Sequence, residues 1–445
     1  MALHVQSALH GTGMTSVLHS RFSNTSPVAP IFRARSCPTS VAAFLKRPCF
    51  HSPSDNLLYN STLPSMWCCI ASYDIPQGRL QRPQVITSDG VKFDEMALPP
   101  LVSSTVIPDL PPPPAQASFS VLCAAKEHMK NVAKRWSVHS FESWTHPGIS
   151  FTNEVYGSTS SRDRFVVIAT LQTFSFMLDD IFCDAPNESV LEEFGISRSI
   201  CKCSQKLAAF FKRLNSIFRQ QEIPSNPTPI EGVTWELGHD MRRLSNPEWF
   251  NKFADCLLEH QIAGVSSHVD HIADDQLFLK EVEAYAQMRV LNSGGRWVMM
   301  LVEFATNVYL GDEFSAHPIL HQLTNAAVIH CVYVNDLFSY PKEMFEENPR
   351  NIIKMFMQDS NDGGSGLSQA AWKAVDLINT QTHTVAELEK KFDSEVFAVR
   401  SYIDGVKGVM TGNIYFHSVD NRYRHPNSVF PELREIITNA HETSV

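Results

Sequence analysis

Three aspartates fall within six residues in the stretch FMLDDIFCDAP, from Phe176 to Pro186, directly behind an apolar run. Burying unpaired carboxylates beside hydrophobic side chains is costly, because each loses its hydration. At about 100° per residue of helix, Asp180 and Asp184 share a face and Asp179 stands beside them. Phe176, one turn earlier, sets an aromatic ring against the acidic edge. Carboxylates held this close raise one another's pKa unless a cation intervenes. Mg2+ suits them, since it prefers hard oxygen ligands, keeps several waters and is usually shared with phosphates. The plainer alternative is an acidic helix end facing solvent before the loop APNES.

A second set lies in VYVNDLFSYPKEMFEE, where Asn335, Ser339 and Glu343 recur every fourth residue. On a helix they form an axial stripe of an amide, a hydroxyl and a carboxylate. Such a trio completes a divalent-cation shell with less negative charge than a second aspartate cluster brings. A polar helix face is the alternative, though it does not require this trio. Pro341 falls inside the stripe, removes an amide donor and predicts a kink between Ser339 and Glu343. That kink either aims Glu343 inward or spoils the stripe.

The elements that must position these groups are helical. From about Ala117 onward apolar residues recur three and four apart, as in SVLCAAKEHMKNVAKRW, RFVVIATLQTFSFMLDD and AAWKAVDLINTQTHTVAELEKKF. Breaks fall at EIPSNPTPIEG and DGGSG, and neither an internal repeat nor a βαβ alternation is present. The expectation is a single all-α domain over residues 100–445. It follows a flexible tether over 56–99 and the Pro-rich run ALPPLVSSTVIPDLPPPPAQ. Residues 1–54 carry no Asp or Glu but are rich in Ser, Thr, Ala and Arg, which predicts a transit peptide over 1–55, most consistent with a plastid and with the cytosol as the alternative.

The chain has 445 residues, 43% of them hydrophobic and 19% charged, enough apolar surface for a large core. A net charge of −10 argues against nucleic acid as the main partner. No uninterrupted apolar run approaches ~18 residues; the nearest, WVMMLVEFATNVYL, carries Glu303. The ten cysteines include no C-x-x-C pair, and their scatter points to reduced thiols rather than a zinc site or disulfide framework.

An aspartate-rich motif followed by N-D-x-x-S-x-x-x-E resembles the class I terpene synthases. In the absence of a long additional N-terminal domain it is most similar to the microbial type, including the microbial terpene synthase-like proteins of non-seed plants. Further landmarks stand at the family's spacing over residues 100–445. Arg289, 46 residues before Asn335, matches the arginine that senses diphosphate; Asn292 and Ser293, before Gly294–Gly295, match the linker and effector residues at a helix break. Arg422–Tyr423 matches the Arg-Tyr pair, with Arg422 falling 87 residues after Asn335. The chain departs from the commonest first motif, because Cys183 occupies the fifth position and the third acid is displaced to Asp184.

The resemblance implies a helical-bundle domain that ionises a linear prenyl diphosphate, geranyl or farnesyl, and converts the cation to a mono- or sesquiterpene. It implies three Mg2+ ions, with Mn2+ as a substitute, held by Asp179, Asp180 or Asp184, and by Asn335, Ser339 and Glu343. Arg289, Arg422 and Tyr423 would bind the diphosphate. Phe176 and the helix break at Asn292–Ser293 would face the cation, and Phe174, Trp297, Phe338 and Tyr340 are further candidates for an apolar lining. A monomer or homodimer is expected. Chain-elongating prenyl transferases share this chemistry but carry two aspartate-rich motifs, unlike N-D-L-F-S-Y-P-K-E, and no D-x-D-D acid is present for a protonation-initiated cyclase. A silent helical protein binding isoprenoid or metal is the third reading. The segment HVDHIADD, 268–275, reads as ordinary polar sequence.

Overall fold

The computed structural model describes residues 84–86, 92–94, 97–99, 110–183, 187–201, 203–269, 282–344, 350–358, 366–392 and 396–434. The expected transit peptide, most of the expected tether, Asp184 and the charged part of HVDHIADD lie outside these residues. Within the span read as a tether, Gln84–Ile86 pairs antiparallel with Lys92–Asp94. All else that is regular is helical. The long helices are α1 (Phe119–Trp136), α2 (Thr145–Tyr156), α3 (Arg162–Cys183), α4 (Ser204–Phe218), α5 (Pro229–Leu244), α6 (Pro247–Val269), α7 (Val282–Asn292), α8 (Gly295–Thr306), α9 (Pro318–Glu343), α10 (Leu367–Lys391) and α11 (Phe397–Val419).

Local chemistry sets several of their ends. Thr228 and Glu231 form a capping box around Pro229 at the start of α5, satisfying amides that the first turn leaves unpaired. At the start of α9, His317 accepts from the Ile319 amide beside Pro318. Between α7 and α8 the chain turns through Gly294 at φ 77°, where a Cβ would sit 2.7 Å from the Trp297 indole nitrogen, so only glycine fits.

Helix α9 packs most extensively on α10, and α2 is pressed between α3 and α11. The close approach of α2 to α3 needs Gly148, because a Cβ there would lie 2.7 Å from the Thr173 backbone nitrogen. Phe165, Phe211, Phe253, Phe304, Tyr285 and Tyr333 are among the largest fully buried side chains of the resulting core. Arg164 at the start of α3 donates to Phe304 O at 2.6 Å, to Asn307 Oδ1 and to Leu244 O. It thereby satisfies carbonyls at the C-termini of α5 and α8.

One described helix, Arg162–Phe182, is long and apolar enough to cross a membrane by length and composition alone, and 78% of its most apolar window is buried inside the protein. It is this helix, rather than the stretch around Glu303, that carries the strongest apolar signal. The kink-forming Pro341 is accommodated in the last turn of α9, which continues to Glu343. A missing amide there costs one helical bond near a terminus, where carbonyls already look elsewhere for donors. Near this end of the helix Asn351 gives its amide to Asp336 O at 2.6 Å, the carbonyl one residue before the one that Pro341 leaves without its helical donor.

Candidate active site

The end of α3 meets the end of α11. Arg422, in the short turn Asn421–Tyr423 that follows α11, donates to Asp180 through both terminal nitrogens, at 3.0 and 2.6 Å, and to Asp179 at 3.3 Å. Trp144 Nε1 donates to the same Asp180 carboxylate at 2.7 Å. Burial alone would raise the Asp180 pKa, but the Arg422 hydrogen bonds and charge, then Trp144, hold it below the usual carboxylate range. Asp179 is different: its side chain is 61% exposed and, among the described residues, it has the longer Arg422 contact alone. Adjacent in sequence, the two acids have unlike environments.

On the other wall, α7 faces α9. Arg289 donates to Asn335 Oδ1 at 3.3 Å and to the buried carboxylate of Asp336 at 3.0 Å. Asp336 also accepts from the Tyr285 hydroxyl and from the Ile352 amide. Burial works against the Arg289 charge, yet Asp336 raises its pKa overall and keeps it a cation. Asn351 donates to Glu343 Oε2 at 2.9 Å as well as to Asp336 O, which turns Glu343 towards Asp336 instead of solvent. Burial, then the Asp336 charge, pushes Glu343 up to about 7. Ser339 Oγ is buried beside Glu343 and pulls that carboxyl back towards the ordinary range.

Residues 422 and 423 join the walls. While Arg422 holds α3, the Tyr423 hydroxyl accepts from Asn335 Nδ2 at 3.3 Å, and His417 Nε2 stands 3.0 Å from the same nitrogen. The two oxygen-rich sets therefore belong to one hydrogen-bonded network, brought to a single place by α3, α7, α9 and the turn after α11. Beneath it lies an aromatic layer. Phe176 has the Arg422 guanidinium carbon 5.0 Å from its ring centre, stacks on Phe416 at 5.9 Å and meets Phe151 edge-on at 6.1 Å.

The other sequence candidates fall as follows. Ser293 accepts from the Gly295 amide at 3.3 Å, and Asn292 Oδ1 is buried without a partner, both at the break between α7 and α8. Trp297 packs edge-on to Phe253 and beside His260. Phe338 is buried 6.0 Å from His417, and Phe174 is buried in the core. Tyr340 instead turns its hydroxyl to Met357 Sδ at 3.3 Å. Sequence reasoning missed Trp144, His417, Asn351, Phe151 and Phe416, which carry no local pattern. It also passed over Asp336, although this residue sits inside the quoted motif.

The oxygen donors fit a divalent cation. Asp179 projects to solvent, and Asn335, Ser339 and Glu343 offer hard oxygens from one helix. Two arginines flank them, as a site for a polyanion shared with metal requires.

Comparison with known proteins agrees. Residues 171–384 match the family model described as Terpene synthase family 2, C-terminal metal binding. Microbial Terpene synthase-like protein 13 of Selaginella moellendorffii is 26% identical over 172 residues, which is 38% of this chain and 47% of that protein. The alignment thus spans about half of that relative's length. Sesquiterpene synthase Agr3 of Cyclocybe aegerita is 22% identical over 60% of this chain and 73% of its own length. Among solved structures, germacradien-4-ol synthase from Streptomyces citricolor superposes with a TM-score of 0.54 at 16% identity, covering 71% of this chain and 99% of its own. Aristolochene synthase from Penicillium roqueforti gives 0.52 at 19% identity, covering 69% and 98%. Both oxygen-rich motifs lie inside the matched residues, and the chain is similar in sequence and in helical fold to terpene synthases of the microbial type.

Proposed function

We propose that this protein is a Mg2+-dependent terpene synthase that ionises geranyl or farnesyl diphosphate and converts the allylic cation to a mono- or sesquiterpene, releasing diphosphate. The single observation that carries the reading is the Arg422–Tyr423 turn, which bonds to Asp180 on one wall and Asn335 on the other. Asp179, Asn335, Ser339 and Glu343 would hold the metal, with Asp180 kept as the anchor of Arg422. Bound divalent cations supply neutralisation of the charge that grows on the leaving group.

The chain's own residues do the remainder. Arg289 and Arg422 offer planar guanidinium groups to phosphate oxygens, and Tyr423 offers a hydroxyl to the same group. Phe176, Phe416 and Phe151 present ring faces and edges where a cation needs shielding from water. The acid-free N-terminal stretch supports delivery to a plastid.

Incubation with geranyl, farnesyl and geranylgeranyl diphosphates plus Mg2+, read by gas chromatography with mass detection, tests the reading. Volatile terpene from geranyl or farnesyl diphosphate is the expected result. A lengthened diphosphate would make the protein a prenyl transferase, and no turnover of any substrate would refute catalysis.

A further inference from the structure

A cluster of buried polar atoms at the break between α7 and α8 takes no part in the network above. Because the Gly295 amide donates to Ser293 Oγ, it leaves the Leu291 carbonyl without its ordinary helical partner. His260 of α6 fills that place with one ring nitrogen. Its other nitrogen, Nδ1, is buried with no hydrogen bond from the protein, so it presents a bare lone pair. Asn292 Oδ1 is a second unpartnered acceptor, and the Trp297 Nε1–H an unpartnered donor.

Two glycines let these groups crowd the break. A Cβ on Gly294 would lie 2.7 Å from Trp297 Nε1 and 3.3 Å from His260 Cε1. A Cβ on Gly264, one turn after His260, would lie 3.4 Å from the Asn292 carbonyl oxygen and 3.9 Å from His260 Nδ1. Among the described residues Asp179 and Arg289, one from each wall, are near enough for their charges to act on the His260 ring.

Two acceptors and one donor are the complement of a water molecule, which donates twice and still accepts. A purely apolar occupant leaves all of them unpaired, at about 1–3 kcal/mol for each group. We propose that His260 Nδ1, Asn292 Oδ1 and Trp297 Nε1 hold a water that captures the carbocation, so that the product is a terpene alcohol. This rests on the function proposed above. The water oxygen gives a lone pair to the cationic carbon and forms the C–O bond. One O–H bond then breaks, its electron pair stays on oxygen, and the proton passes to His260 Nδ1. Burial holds His260 at about 4, so the imidazole is neutral beforehand. A protonated alcohol is a far stronger acid than an imidazolium, and the transfer is downhill.

Two measurements on the full chain test this. The first is a crystal structure of the protein without substrate: an ordered water within hydrogen-bond distance of His260 Nδ1 is expected, and a protein group there instead overturns the site. This arm stands even if no prenyl diphosphate is turned over, an outcome that would refute the proposed function alone. The second is turnover in heavy-oxygen water. Labelled alcohol is expected, and His260→Phe should lower the alcohol-to-hydrocarbon ratio roughly tenfold or more. His260→Gln, which keeps an acceptor, should retain alcohol. Hydrocarbon alone from the wild type, or an unchanged ratio in His260→Phe, overturns the proposal.

Discussion

His417 decides which way the Asn335 amide faces. Its Nδ1 lies 2.7 Å from the Asn413 carbonyl, which can only accept, so Nδ1 carries the hydrogen and Nε2 is the acceptor 3.0 Å from Asn335 Nδ2. The Asn335 NH2 group is thereby turned to His417 and Tyr423, and its Oδ1 is left for Arg289 or a metal. Burial holds His417 at about 3, so this tautomer persists at neutral pH.

Replacing His417 with Phe frees the amide to flip and should raise the Mg2+ concentration for half-maximal turnover by about 10- to 100-fold, the usual weight of such outer partners. His417→Gln, which can both donate to Asn413 and accept from Asn335, should recover part of the loss. A Mg2+ titration of the three proteins checks this; an unchanged midpoint would mean that other contacts orient Asn335.

The two adjacent aspartates should separate in mutagenesis. Asp179→Asn removes an exposed carboxylate and should lower turnover by roughly 100-fold or more with little change in melting temperature. Asp180→Asn breaks charge-assisted bonds from Arg422 and Trp144, each worth about 1.5–3 kcal/mol, and should lower the melting temperature even without Mg2+. Thermal unfolding of both metal-free variants decides between this and equivalent roles.

Lysine cannot replace Arg422. Its point charge cannot grip both oxygens of Asp180 while reaching Asp179 and lying against Phe176. Arg422→Lys should weaken inhibition by inorganic pyrophosphate roughly tenfold and slow turnover further. Inhibition constants measured beside the wild type test it.

Outside this network, burial pushes Glu303 from 4.5 up to about 7, although the Leu310 amide donates to it at 2.8 Å. Between those pH values the unfolded chain ionises while the folded one stays protonated, so this group's contribution is complete below pH 4.5 and falls as pH rises to about 7. The shift corresponds to roughly 3 kcal/mol at most. The neutral buried histidines His260, His330 and His417 slope the other way, losing stability as pH falls. The Glu303 effect is therefore read as the difference between wild type and Glu303→Gln, which should grow in favour of the variant from pH 4.5 to 7.5. Parallel denaturant curves would refute it.

The stripe of Asn335, Ser339 and Glu343, the break at Gly294–Gly295 and the acids at the end of α3 were all legible in the sequence, because helical periodicity and glycine conformation are local properties. Nothing local says that Asp180 is tied to Arg422 and Trp144, that Asp179 is left exposed, or that Tyr340 turns to Met357. Those outcomes follow from how α3, α9 and α11 cross. Residues hundreds of positions apart compete there for the same buried donors and acceptors, and the packing, not the spacing, decides which pairs form. Glu343 shows the division plainly: its place in the stripe is a matter of spacing, whereas the donor that orients its carboxylate, Asn351, comes from beyond the end of α9 and is set there only by the fold.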